Sequence, residues 1–305
     1  MIFLILQAVL PLILIALLIW RPGGRVRVII GAVAVGAYLA AIQLAGLWLD
    51  VPWWTAWLWW ALLAAALVAA VRRSSPPEGR GRWLALAGWS LLALGSGWLA
   101  VTALLGRRPP PAPPVALANP LPAGNVMVVN GGSRELINAH LETLHPRTAR
   151  QAAHRGQSYG VDLVRLFPSG RHVRGWQPSD PARYAIWGTP VLAPCAGEVV
   201  ARLDGRPDMP VPRTDPAVMG GNHVILRCGT ALVVLAHLRR GSVAVAVAQR
   251  VRTGERVGEV GNSGNSDLPH LHVHAQRPGP PGAPWAGDPL PITIDGRYAA
   301  RGDWL

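Results

Sequence analysis

Lysine is absent. All 29 Lys and Arg positions among the 305 residues are arginine, set against 16 acidic residues for a formal net charge of +13. The arginines are scattered instead of gathered into one dense block, which argues against a nucleic-acid interface. They fit attraction of a basic, outward-facing domain to an anionic membrane or cell-wall surface. Charge is missing altogether from four long stretches in the first third of the chain, which argues against an ion or proton path through them. Cysteine is scarce: Cys195 and Cys228 are the only two. A disulfide between them and a pair of small buried core residues are both open readings. No internal repeat indicates a solenoid.

The uncharged stretches are Met1–Trp20, Val28–Leu49, Trp53–Val71 and Trp83–Leu105. Each approaches or exceeds the ~20 apolar residues that span a bilayer core. Arg21, Arg25 and Arg27 occupy the first connecting loop, Asp50 the second, and Arg72, Arg73, Arg80 and Arg82 the third. By the positive-inside rule the first and third loops face the cytoplasm, so everything after the fourth span faces outward. Arg107 and Arg108 oppose this weakly. Tryptophans at the span ends (Trp20, Trp48, Trp53, Trp54, Trp83) match an interfacial belt. No basic n-region precedes the first run and no small-residue cleavage site follows it, so it reads as a retained span and not a signal peptide. The expectation is a plasma-membrane protein of several passes whose C-terminal domain is extracytoplasmic.

Three divisions follow: a four-helix transmembrane region (1–106), a proline-rich linker (107–124) that forms no regular helix or sheet, and a mostly antiparallel all-β domain (125–305). Within the last, strands are expected over Val126–Val129, Gly160–Leu166, Val191–Leu203, His223–Arg227, Ala231–His237, Gln249–Val251, Arg256–Gly261 and His270–Gln276. One helix is expected over Ser133–Leu144, with Ser133 as its cap and Pro146 beyond its end. The segment Pro207–Gly221 reads as a long irregular loop near the site.

The chemistry concentrates in GNSGNSDLPHLHVH, residues 261–274. In an extended strand His270, His272 and His274 project from one side, as a metal or proton-transfer site requires; a solvated His-rich edge strand is the plain alternative. Upstream lie SYGVDLV, GTPVLAPCAGEVV, GGNHVILRCG, LVVLAHLRRGSV and VRTGERVGEVGNSGNS. In that order they resemble the LytM/lysostaphin-type zinc metallopeptidases, the M23 family, over residues of about 158–276. The resemblance implies Asp162 and His272 as zinc ligands and His237 and His270 as catalytic partners of a zinc-held water. It also implies hydrolysis of peptide bonds in bacterial peptidoglycan. Such chemistry suits N and O ligands around Zn2+ with one open position.

One position departs from the pattern. Ser158 stands four residues before Asp162, where the family has its first ligand His. His154 and His140 are the substitutes in sequence, and the chain is similar to a branch of the family with a GG…N…H segment and no such His. The alternative function is a non-cutting domain that binds peptidoglycan or a partner hydrolase and regulates it. His274, about 6.6 Å from His272 along the strand, is left without a role. His145 and His172 read as surface residues, and His223 as a cleft-lining or packing side chain.

Overall fold

The structure is a computed structural model that describes residues 2–20, 24–74 and 81–305. Met1, Arg21 and Arg80, invoked above for the first span and the loop charges, lie outside the described residues. The chain divides into two compact units, Met1–Leu105 and Gly106–Leu305.

Among the described residues of the chain, four helices are long and apolar enough to cross a membrane: Ile2–Trp20, Arg25–Ala45, Thr55–Arg72 and Trp83–Gly106. Two begin where a free carbonyl accepts the first turn. The Gly24 carbonyl receives the Arg27 and Val28 amides, at 2.9 and 3.2 Å, so the second helix starts ahead of its apolar run. The Pro52 carbonyl receives both the amide of Thr55 (3.0 Å) and its hydroxyl (2.7 Å), which starts the third after the Trp53–Trp54 pair. The first helix contains a wide turn over Ile5–Val9. Widening a turn displaces carbonyls from their usual helical partners, so they need others. Here Tyr38 donates its hydroxyl to the Leu6 carbonyl (2.5 Å) and Trp59 its indole N–H to that of Gln7 (2.8 Å).

The second unit is a β-rich domain whose strands are mostly antiparallel. In chain order they are β1 (Val115–Leu117), β2 (Val126–Asn130), β3 (Val161–Arg165), β4 (Pro190–Leu192), β5 (Gly197–Leu203), β6 (Asn222–Cys228), β7 (Ala231–Leu238), β8 (Arg250–Val251), β9 (Arg256–Glu259), β10 (Leu271–Gln276), β11 (Pro289–Leu290), β12 (Ile292–Ile294) and β13 (Arg297–Tyr298). The main sheet runs β2-β3-β10-β7-β6-β5-β8, with β11 added to β10. β10 therefore sits inside the sheet, between β3 and β7, and every residue of β10 is buried. The solvated-edge reading of the His-rich strand is thereby excluded. Alternation divides β10 in two: Leu271, Val273 and Ala275 enter the main hydrophobic core with Val161, Leu163, Val233 and Leu235. His272, His274 and Gln276 take the opposite face.

Three expectations about local structure need correction. The proline-rich linker does form sheet: β1 pairs in parallel with β12, and the Val115 amide donates to the Pro291 carbonyl at 2.8 Å. Prolines flank β1 without occupying it, so its donors are intact. The helix over Ser133–Leu144 is a single tight turn, Ala139–Thr143, capped by Asn138. Tertiary bonds take the place of the helical ladder there. Arg301 draws in the Leu136 carbonyl (3.1 Å), and the Asn138 amide group reaches the carbonyls of Gly132 (3.0 Å) and Gly160 (3.1 Å). The run Val191–Leu203 is broken into β4 and β5 by residues 193–196, which include Pro194. Cys195, just before β5, forms a disulfide with Cys228 at the end of β6, with the Cα atoms 6.0 Å apart.

A candidate metal centre at the end of the buried strand

Strand register builds the centre. In the antiparallel β3–β10 pair, Asp162 lies directly opposite His272, and His272 lies opposite Ala236 of β7. A third group, His140 on the turn Ala139–Thr143, joins them. Its ring stands edge-on to that of His272 with centroids 4.7 Å apart.

His140 Nε2 is 3.0 Å from Asp162 Oδ2, and His272 Nδ1 is 2.9 Å from Asp162 Oδ1. One ligand atom from each of the three residues lies within 4.8 Å of the other two. Two imidazole nitrogens and a carboxylate oxygen are a donor set that Zn2+ accepts, and a three-residue set leaves a fourth position open. The residues present therefore fit the ion.

The turn that carries His140 is tied to the one that carries Ser158. Ser158, fully buried, places its hydroxyl 2.9 Å from that of Thr143 and donates to the Arg155 carbonyl at 2.6 Å. Ser158 thus joins the turns Ala139–Thr143 and Arg155–Tyr159, and His140 stands beside Asp162. His154 is outside the three-residue group. Its Nδ1 meets the Arg150 carbonyl at 2.9 Å and its ring faces Trp285 at 6.3 Å. Gly160 makes the close packing feasible, because a Cβ there would lie 2.7 Å from His272 Cε1 and 3.1 Å from His140 Cδ2.

His237 and His270 stand together on another side of His272, with their own ring centroids 4.6 Å apart. His237 has φ of 61°, in the left-handed region, at the end of β7. Its amide donates to the Gly220 carbonyl and its carbonyl accepts from the Gly261 amide, at 2.9 and 3.0 Å, which holds this uncommon conformation. His237 Nδ1 is 2.9 Å from the Ser263 carbonyl, and His270 Nδ1 is 2.8 Å from that of Leu268. A carbonyl only accepts, so each neutral ring carries its proton on Nδ1 and keeps a lone pair on Nε2. His270 Nε2 lies 3.6 Å from Asp162 Oδ1.

The electrostatics divide these groups. Burial alone would raise the Asp162 carboxyl, but the imidazoles of His140 and His270 hold it well below the usual carboxylate range. Burial opposes charge on His140 too, yet the Asp162 carboxylate lifts it above the ordinary histidine value. Burial, reinforced by His270 and His272, pushes His237 well below that value. Burial pushes His272 down to about 4 against the opposing pull of Asp162. A neutral imidazole is the form that binds metal or accepts a proton.

The centre opens into a cavity of about 340 Å³ whose walls include Glu142, Met219, Asn265, Asp267 and Trp285. The irregular segment before β6 contributes Thr214, Met219 and Gly220 to it. His223 packs edge-on against Trp285 at 5.3 Å, in keeping with a packing role. His145 is exposed, but His172 is buried against the Tyr184 ring, contrary to its reading as a surface residue. Two supporting residues had no motif to announce them. Asn130 donates its amide to Asp162 Oδ2 at 2.9 Å, and Arg301 donates to Asn130 Oδ1 at 2.8 Å, which fixes the way that amide faces.

Residues 183–284 match the model of Peptidase family M23. The match includes His237, His270 and His272 and begins downstream of His140 and Asp162. Among solved structures, a zinc-containing peptidase from Vibrio cholerae is similar at 23% identity over 30% of this chain and 24% of that one, with a TM-score of 0.23. Lysostaphin from Staphylococcus simulans is 22% identical over 41% of this chain and 40% of its own, with a TM-score of 0.27. The separate catalytic domain of lysostaphin is 23% identical over 41% of this chain and 71% of that domain, with a TM-score of 0.27. The chain thus spans well under half the length of the first two. No curated protein matches the sequence.

Proposed function

We propose that this chain, whose residues 183–284 match the model of Peptidase family M23, belongs to that family and is a membrane-anchored zinc metalloendopeptidase that hydrolyses peptide bonds in bacterial peptidoglycan. The observation that carries the reading is the convergence of His140, Asp162 and His272 on one point beside His237 and His270. In this reading residues 1–106 are the anchor and 125–305 the peptidase domain, with the proline-rich stretch 107–124 leading into it and joining it through β1. The domain faces the extracytoplasmic side, where peptidoglycan lies.

His140, Asp162 and His272 would hold the ion. Zinc, when bound, supplies a water of lowered pKa and polarises the scissile carbonyl. His237 and His270 do the proton work: each offers its Nε2 lone pair to the cavity while a backbone carbonyl holds its Nδ1 proton. A base so oriented takes a proton from the attacking water and returns it to the departing amine. Asn130 and Arg301 keep the Asp162 carboxylate in place. Trp285 and Met219 give the cavity an apolar wall against which a peptide can lie.

The regulatory alternative drew its support from Ser158. With His140 beside Asp162, Ser158 no longer argues for a lost ligand. The test is digestion of purified peptidoglycan by the full-length protein in detergent, reconstituted with zinc, with mass spectrometry of the released fragments. New amino and carboxyl termini are expected, and they should be absent from an Asp162→Asn variant. Zinc-loaded wild-type protein that releases no fragment would overturn the reading.

A further inference from the structure

β10 carries a polar row whose far end the metal centre does not use. His272 Nε2 is 2.8 Å from His274 Nδ1, and His274 Nε2 is 3.3 Å from Gln276 Oε1. All three side chains are buried on one face of the strand. The row has a definite direction because its last member is oriented from outside. Gln276 Nε2 meets the carbonyls of Arg277 (3.2 Å) and Pro284 (2.6 Å). Both are acceptors, so the amide nitrogen must face them, and Oε1 must face His274.

An acceptor at that position requires a proton on His274 Nε2. Neutral His274 then has a lone pair on Nδ1, which accepts from His272 Nε2–H. With its proton on Nε2, His272 has its own lone pair on Nδ1, the atom that faces Asp162 and His140. A lone pair 2.9 Å from a carboxylate oxygen is repulsive unless a cation lies between them.

We infer that Gln276 and His274 form a positioning relay that sets the tautomer of His272, aiming its Nδ1 lone pair at a divalent cation, and that His274 is not itself a ligand. The relay is an imidazole-and-amide version of the acceptor that commonly orients a metal-bound histidine. The inference rests on the metal-centre reading above, but its first consequence can be tested without metal.

The experiment uses full-length protein labelled with 15N-histidine in detergent micelles. Two-bond 15N–1H correlation spectra of the metal-free form report the proton on each ring. His274 is expected as the Nε2–H tautomer, assigned from the signal lost in His274→Leu; an Nδ1–H tautomer at His274 would overturn the relay. Zinc affinity is then measured by chelator competition. His274→Leu removes the acceptor and should weaken binding by about 10- to 100-fold, whereas His274→Glu restores an acceptor and should stay within about 3-fold of wild type. Equal affinities in the two variants would also overturn it. Wild-type protein that binds no zinc refutes the metal reading instead, and the tautomer of His274 then decides the relay by itself.

Discussion

Gly160→Ala tests the geometry of the centre with one methyl group. Gly160 has φ of −62° and ψ of 154°, which any residue adopts, so the substitution adds no backbone strain. What it adds is volume. The new Cβ would lie 2.7 Å from His272 Cε1, about 0.7 Å short of the 3.4 Å at which ordinary contact begins. It would lie 2.8 Å from the Gln157 carbonyl oxygen and 3.1 Å from His140 Cδ2. The backbone oxygen gives way least, so the two rings must separate. Overpacking of this kind costs about 1–3 kcal/mol, and a displacement approaching 1 Å at a reacting centre costs on the order of 10²-fold in rate. Zinc affinity by chelator competition and kcat/KM on a peptidoglycan fragment should both fall at least about 10-fold, with the domain still folded by near-ultraviolet circular dichroism. An alanine variant with wild-type affinity and turnover would refute the claim that His140 and His272 meet over this glycine.

Other substitutions separate binding from chemistry. His237→Ala should retain zinc and lose about 10²- to 10⁴-fold in kcat, the range for a removed acid–base group; loss of zinc in this variant would assign His237 to the metal instead. Acidification of the metal-free protein should destabilise the β domain. His223, His237, His272 and His274 are all held below their unfolded value of 6.5, chiefly by burial, so the unfolded chain binds more protons as pH falls below that value. His140 is raised and opposes this trend, and Asp162, being depressed, gives up its contribution only at much lower pH. Four groups outweigh one, so the melting temperature should drop between pH 7.5 and 5.5; a rise would contradict the assignment of buried neutral rings. Breaking the Cys195–Cys228 bridge with Cys195→Ser reopens a loop of sequence separation 33. The chain-entropy relation puts the loss at about 3–4 kcal/mol, to be read from denaturant midpoints. An unchanged midpoint would show that the bridge adds nothing.

The histidine strand was legible because alternation is a local property. Positions 270, 272 and 274 had to share a face once the strand formed, and Gln276 continues the same count. That Asp162 lies opposite His272 is a fact of register between strands far apart in sequence, which composition does not specify. Proximity along the chain also misleads. His154 is nearer to Asp162 in sequence than His140, yet it faces Trp285, whereas a tertiary hydrogen bond between Thr143 and Ser158 ties in the turn that bears His140. Ser158, a defect when read as a missing ligand, is a tie between two turns. Arg301 and Asn130 carried no signal at all, because a buried arginine near the C-terminus resembles any other arginine until its acceptors at Val129, Asn130 and Leu136 are known. The four long N-terminal helices were legible from length and apolarity alone, but β1 was hidden by the prolines around it.

The central claim is a zinc ion held by His140, Asp162 and His272, and metal content of the purified full-length protein tests it most directly. Reconstituted wild-type and His154→Ala proteins should each hold one zinc per chain, and His140→Ala should hold none after dialysis. Stoichiometric zinc in His140→Ala, or none in the wild type, would contradict the account.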